Sequence, residues 1–299
     1  MSIKRHSAGL SYILLASVLW ASFPVFTLIA LKSVPLFTAA ALTTFFATLF
    51  FLFLLIVRPQ KTKPSKAAIR DIAFACAILG VGYYVFTYVG ISLTSPGNAA
   101  IVMLMEIFYS YLFISVLGRH EPLVKSHVIG AILMVAGVLF VLVPSARELR
   151  LGDFILLFAG MLPPLGNLAM QRARKEVSSA YIMFFRSLAA TVCMGLIALV
   201  FEDVPTFAEL RPALPSIIFG GFVLMGFSKI LWIEAIHRLP ITQTISITSI
   251  QPLFTMIFAY LLLSQSPEWV QMLSLPPIAV GMYLLTKKPA LPVEALEEA

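Results

Sequence analysis

The chain has 299 residues, 60% of them apolar and 12% charged, with a mean hydropathy of +0.97 and a formal net charge of +7. So little charge cannot cover a water-soluble domain of this length. The basic residues are dispersed between apolar spans instead of gathered with aromatics on one face, which excludes a nucleic-acid-binding surface and leaves a lipid bilayer as the fitting solvent.

A membrane crossing needs about 20 mostly apolar residues. On that ruler the chain divides into spans over residues 8–31, 36–57, 69–93, 98–117, 128–143, 154–171, 180–201, 214–236, 241–263 and 269–286. The expected fold class is all-α integral membrane, with ten transmembrane helices. The breaks carry Pro, Gly or charge, at Pro35, Pro59, Pro96-Gly97, Pro122, Pro144, Pro212, Pro240 and Pro267. Proline lacks an N–H and disfavours helix in the residue before it. Lys4, Arg5 and His6 ahead of the first span imitate a signal peptide. The apolar run is too long for one and no cleavage motif follows, so it reads as a retained helix.

In the first span Trp20 is interior and Pro24 is a candidate bend. The third carries Tyr84 and Tyr88 on one face, together with Cys76. The fourth holds Glu106 with no charged residue within twelve positions on either side, and Tyr109 one turn later. A carboxylate at that depth costs a few kcal/mol at least, so it marks a pathway or meets a partner. It reads as a site for protons or a cationic group, or else as half of a structural ion pair. His120 and His127 read as interfacial residues. In the sixth span Pro163-Pro164 must kink or break the helix, and Asn167 could present its amide there.

Arg186 in the seventh span stays protonated in any protein setting, so it pairs with Glu106 or Glu234 or meets an anionic solute group. Cys193 and Cys76 read as small buried hydrophobes without metal spacing. In the eighth span Lys229 can pair with Glu106 or snorkel to the interface, Trp232 follows it by one turn, and Glu234 reads as interfacial. The ninth span places Thr244, Thr248, Gln251 and Thr255 on one face, which suits either a site lining or helix–helix hydrogen bonds. Pro252 frees a carbonyl beside Gln251. Tyr12, Trp269 and Tyr283 fit interfacial belts.

Basic residues alternate along the connections. Fifteen fall in even-numbered connections and the termini, against four in odd-numbered ones (Lys32, Arg147, Arg150 and Arg211). The positive-inside rule then places both termini in the cytoplasm. Five spans per half give the halves opposite directions. Residues 105–108 align with 251–254, and 136–138 with 280–282. Inverted repeats of this kind put a solute site near the midplane between the halves.

With these motifs in place the chain resembles the drug/metabolite transporter superfamily, specifically its EamA-like family. Trp20-Ala21-Ser22 resembles the family's Trp-small-Ser opening, Gly130 and Gly137 its fifth-helix pattern, and Pro252 its fourth-helix proline. The chain departs from the pattern at Glu106, where a proline is expected, and at Gln265, where an acidic residue is expected. The resemblance implies two EamA-like repeats, residues 1–150 and 151–287, with a cytoplasmic tail over 288–299. It further implies a cavity lined by helices one, three, four, six, eight and nine, and movement of small metabolites, often amino acids.

The sequence therefore predicts a secondary-active exporter of amino acids or related metabolites in the inner (plasma) membrane, with protons as a candidate coupling ion. Glu106 is the expected coupling residue and Arg186 the expected carboxylate anchor. Lys229, Gln251, Thr248, Trp20, Tyr84, Tyr88, Tyr109, Asn167 and Trp232 complete the expected site. No cofactor, metal or nucleic-acid partner is expected, and no P-loop supplies an ATP-driven motor. A membrane-embedded enzyme and a passive channel or facilitator are the rival readings.

Overall fold

The computed structural model describes residues 3–60, 63–113, 125–147, 150–236, 238–239, 247–248 and 250–286. These are helical and contain no strand. In chain order, α1 comprises Ile3–Ala21 and Phe23–Ala30, α2 is Leu36–Val57, and α3 is Lys66–Ser92. The next rod, α4, comprises Pro96–Met103 and Met105–Ser110, and α5 is Lys125–Arg147. Then come α6 (Leu151–Ala159 and Leu162–Ala173), α7 (Ser179–Phe201) and α8 (Phe207–Ala235). The last two are α9 (Gln251–Leu263) and α10 (Trp269–Thr286).

Among the described residues seven helices are long and apolar enough to cross a membrane, and α9 and α10 are shorter apolar helices. At 1.5 Å per residue, the 22-residue α2 is about 33 Å long, which matches a bilayer's hydrocarbon core. The outer faces of α2 and α7 expose Phe53, Ile56, Leu196, Leu199, Val200 and Phe201, the last at 79%. Contiguous apolar surface of this kind needs lipid, not water, around it.

The helix starts follow local chemistry. Ser65, Ser95 and Ser178 each accept a backbone N–H at the start of α3, α4 and α7. Thr206 and Glu209 form a reciprocal capping box that starts α8. This corrects the expected boundary at Pro212, which lies with Pro215 inside the helix. The carbonyls four residues back, on Ala208 and Arg211, lose their helix donors, but both residues are exposed and water can serve them. Pro144 likewise fails to end α5, which continues to Arg147.

Elsewhere proline marks real interruptions. Pro24 follows the break at Ser22, and Pro163 and Pro164 occupy the opening of the second piece of α6. Two π-helical stretches, Cys76–Gly82 in α3 and Phe219–Phe227 in α8, have no counterpart in the sequence reading.

The rods pack in pairs: α1 on α8, α3 on α6, α2 on α7, α4 on α9 and α5 on α10. The set is unchanged when each of the first five exchanges places with the helix five later. In four of these pairs the partners run antiparallel. Gly9 meets Leu239 while Lys229 meets Trp20. Gly152 meets Leu93 while Gly166 meets Leu79, and Gly130 meets Leu284 while Gly137 meets Ser274. Along α2 and α7, the Ser178 N–H donates to Gln60 at one tip, and the Phe37 and Thr38 N–H groups donate to Glu202 at the other, at 2.6 and 2.8 Å. Midway, the Thr191 hydroxyl donates to that of Thr44 at 3.1 Å. At the α5–α10 crossing a Cβ on Gly130 would lie 2.7 Å from the Gly281 carbonyl oxygen, so only glycine lets the backbones meet.

Candidate functional site

Irregular helix brings the polar residues together. Trp20 precedes the break in α1, where the Ser22 hydroxyl donates to the Leu19 carbonyl at 2.7 Å. Tyr83 and Tyr84 follow directly on the π-helical stretch of α3, and Ser228-Lys229 follows that of α8. Glu106 opens the second piece of α4, and Asn167 lies in the second piece of α6. Such departures from α-geometry are tolerated in a membrane where they line a cavity, and they recur at functional sites. Arg186 alone stands on an uninterrupted helix, α7, against which Gly80 of the first π stretch packs. The lining helices implied by the resemblance omit the seventh, although Arg186 itself was expected at the site.

The Lys229 ammonium sits 3.5 Å from the centroid of the Trp20 ring. A desolvated contact of this kind is worth about 2 kcal/mol. This corrects the snorkelling reading, because the side chain is held inside the bundle. Arg186 Nη2 donates to the Tyr84 hydroxyl at 2.9 Å, and its Cζ lies 5.6 Å over the Tyr84 ring. Arg186 Nη1 approaches the Met170 sulfur at 3.9 Å, while its Nε is buried without a hydrogen-bond partner. Glu106 faces both cations, with the Asn167 amide and Tyr83 beside it.

No ion pair closes within this group. Among the described residues the ion pairs are Arg150–Glu268, Arg172–Asp71 and Arg238–Glu234, all elsewhere. Trp20, Tyr83, Glu106, Arg186 and Lys229 are half-buried and Asn167 is exposed, although all surround the bundle's interior. Two cations and one carboxylate thus lie near one another inside the bundle, each side chain keeping some accessible surface. That arrangement can hold an anionic group between Arg186 and Lys229.

Trp20 also stacks on Phe23 at 4.9 Å, and Phe23 meets Tyr88 edge-on at 5.7 Å. Phe23 and Tyr88 are both buried, so this aromatic column seals one side of the cluster. Tyr88 thus packs behind Phe23 and does not touch the charged residues directly. Tyr109 is buried against Phe108, Phe113 and Gly160. Trp232 is 40% exposed, and none of its ring contacts is with the cluster. Gln251 and Thr248 are half-buried at and before the start of α9.

Thr255 is buried and donates to the Ala21 carbonyl at 2.7 Å, which is the helix–helix bond that the bland reading of this face expects. Thr244, His120 and the tail over 288–299 lie outside the described residues. His127 lies in the first turn of α5, 2% exposed and edge-on to Tyr111. Glu234 pairs with Arg238 one turn on, as an interfacial residue should.

A second polar region was missed. Asp153 is 0% exposed and accepts from the Thr94 hydroxyl at 2.5 Å and the Asn98 amide at 2.9 Å. The Gln271 amide donates to Asn98 Oδ1 at 2.7 Å and to the Ser95 hydroxyl at 3.2 Å. Arg150 and Glu268 pair nearby at 3.1 Å. These residues line or support a cavity of about 630 Å³ bordered also by Leu93, Met256 and Gln265. The signal available in the sequence was a carboxylate directly at the opening of an apolar span.

Similarity to known proteins agrees with this architecture. Over 281 residues the chain is 17% identical to the uncharacterized transporter YoaV of Bacillus subtilis, covering 92% of this chain and 95% of that protein. Over 286 residues it is 23% identical to an uncharacterized transporter of Archaeoglobus fulgidus, covering 92% and 96%. A solved crystal structure of a protein superposes with TM-score 0.66 at 18% identity, covering 94% of this chain and 97% of the other, which establishes a shared fold. The EamA-like transporter family matches residues 7–143 and again 150–287. The chain is thus a multi-pass membrane protein and belongs to the EamA-like transporter family.

Proposed function

We propose that this protein is a secondary-active carrier that exports amino acids or related carboxylate-bearing metabolites by alternating access, with protons as the coupling ion. In this reading ten helices form two inverted five-helix repeats, residues 1–150 and 151–287, and a set of helix pairs that is unchanged when each helix exchanges with the one five away supports it. The carrier sits in the inner (plasma) membrane with both termini cytoplasmic, and the charge alternation supports that orientation. The observation that carries the reading is that Glu106, Arg186 and Lys229 are electrostatic neighbours inside the bundle and close no ion pair with one another. Ionisable residues inside a membrane bundle mark solute or ion pathways by default.

Arg186 anchors the carboxylate, held in place by Tyr84. Trp20 and Tyr83 offer ring faces to the rest of the molecule. The column from Trp20 to Tyr88 closes one side of the site while the other is reached. Counterflow in proteoliposomes, screened over amino acids and small carboxylates, tests this. Saturable exchange of a carboxylate-bearing solute is the expected result. Chemical conversion of the solute would make the protein an enzyme, and non-saturating flux or ion current would make it a channel.

A further inference from the structure

The cavity of about 630 Å³ lies where three connections meet at one end of the bundle. Residues 92–95 and Gly97, between α3 and α4, form one wall, Arg150 at the start of α6 a second, and residues 265–268, between α9 and α10, a third. The third wall is fixed by its own backbone. Ser264 takes a left-handed conformation with φ 56°, and the Gln265 N–H donates back to the Ala259 carbonyl at 3.2 Å. Gln271 lines the cavity and is tied through Asn98 to Asp153. Gly97 makes room for it, since a Cβ there would stand 2.7 Å from Gln271 Oε1. Asp153 itself is 0% exposed and held by Thr94 and Asn98, so its charge belongs to the support behind the wall.

Two charged side chains line the cavity, Arg150 and Glu268, 3.1 Å apart with their side chains 25% and 40% exposed. An ion pair this wet adds little stability, so a solute that replaces both halves opens it at small cost. The replacement must be complete. An anion alone takes Arg150 away from Glu268, and a cation alone takes Glu268 away from Arg150. A solute with both charges serves both residues. An α-amino acid carries its carboxylate and its ammonium on one carbon, so each reaches its partner while Arg150 and Glu268 stay neighbours. The planar guanidinium fork of Arg150 matches the carboxylate.

The rest of the lining suits an apolar side chain. Leu93, Met256, Ala259 and Pro267 supply that surface, with Met256 and Ala259 buried and Leu93 and Pro267 exposed. The volume falls within the roughly 300–1,000 Å³ of small-molecule sites.

We propose that this cavity is a second solute site, which binds zwitterionic α-amino acids with an apolar side chain between Arg150 and Glu268. Glu106 lies eleven residues further along α4 than Ser95, about 16 Å of helical rise, so the two sites are separate. Binding here needs no passage through the bundle, and the site stands or falls apart from the carrier reading.

The test is equilibrium dialysis of tritiated L-leucine and L-phenylalanine against purified full-length protein in detergent. The competitors for leucine are unlabelled leucine, 4-methylpentanoate, which lacks the ammonium, and 3-methylbutylamine, which lacks the carboxylate. Both single-charge analogues should compete more weakly than leucine, on the order of tenfold to a hundredfold. Arg150→Gln and Glu268→Gln should each weaken leucine binding to the same degree, with thermal unfolding showing that the variants are folded. Either charge reversal alone, Arg150→Glu or Glu268→Arg, should abolish binding. The two together should restore it, because a zwitterion can turn round. Arg186→Met should keep this binding.

Silence towards both amino acids, equal competition by either analogue, or leucine binding that survives both Gln variants would each overturn the proposal. Leucine binding lost in Arg186→Met and kept in Arg150→Gln would overturn it too, by moving the amino acid to the middle of the bundle. Counterflow separates the two readings. Leucine binding that depends on Arg150 and Glu268 without any counterflow would remove the carrier and keep the site. Saturable counterflow of an amino acid with no binding that depends on Arg150 would remove the site and keep the carrier.

Discussion

The two polar regions of this protein are built on opposite terms. Around Asp153 the hydrogen-bonding groups meet one another: the carboxylate accepts twice, Asn98 both donates and accepts, and Gln271 donates twice and accepts from the Glu268 N–H. Around Glu106 the charges are held apart, one guanidinium nitrogen is buried without a partner, and the side chains keep accessible surface. Polar groups inside a membrane protein are affordable in the first arrangement and costly in the second. The saturated region therefore reads as a brace and the unsaturated one as a site awaiting its missing partner.

Substitutions should separate brace from site. The largest effect is expected for Asp153→Ala, which strands Thr94 and Asn98 in the interior. We expect a loss of about 3 kcal/mol in thermal or denaturant unfolding of the detergent-solubilised protein. Arg186→Met should leave stability within about 1 kcal/mol, because it removes an under-satisfied buried charge, while counterflow falls on the order of tenfold to a hundredfold. An Arg186 variant that unfolded as readily as Asp153→Ala would erase the distinction.

Gln271→Leu cuts the link between the α10 end and α4 and should cost about 1–2 kcal/mol, measured in the same way. Arg150→Gln should be smallest, below about 1 kcal/mol and shrinking with added salt, because its partner Glu268 is 40% exposed.

How much of this was legible depends on the kind of residue. Glu106, Arg186 and Lys229 could be singled out because a charge amid Leu and Phe contradicts its surroundings. Sequence order could not say that their helices converge, nor that Lys229 lies over Trp20. Asp153 escaped because a carboxylate at the start of an apolar run looks like an ordinary interfacial residue, and only Thr94 and Asn98 of another helix make it a buried one. Pro212 and Pro144 were misread as boundaries, because the capping residues Thr206 and Glu209 set the α8 start and Pro144 falls in a helix that carries on. The π-helical stretches are written in small and apolar residues that an ordinary membrane helix also uses, so nothing local betrays them.

The glycine crossing of α5 and α10 fixes more than a contact. A Cβ on Gly281 would stand 2.6 Å from the Gly130 carbonyl oxygen, so main chain presses on main chain there and no rotamer can swing aside to relieve a misfit. The crossing behaves as a hinge pin without play. The separation of α5 and α10 along that line is set to within the thickness of a single methyl group.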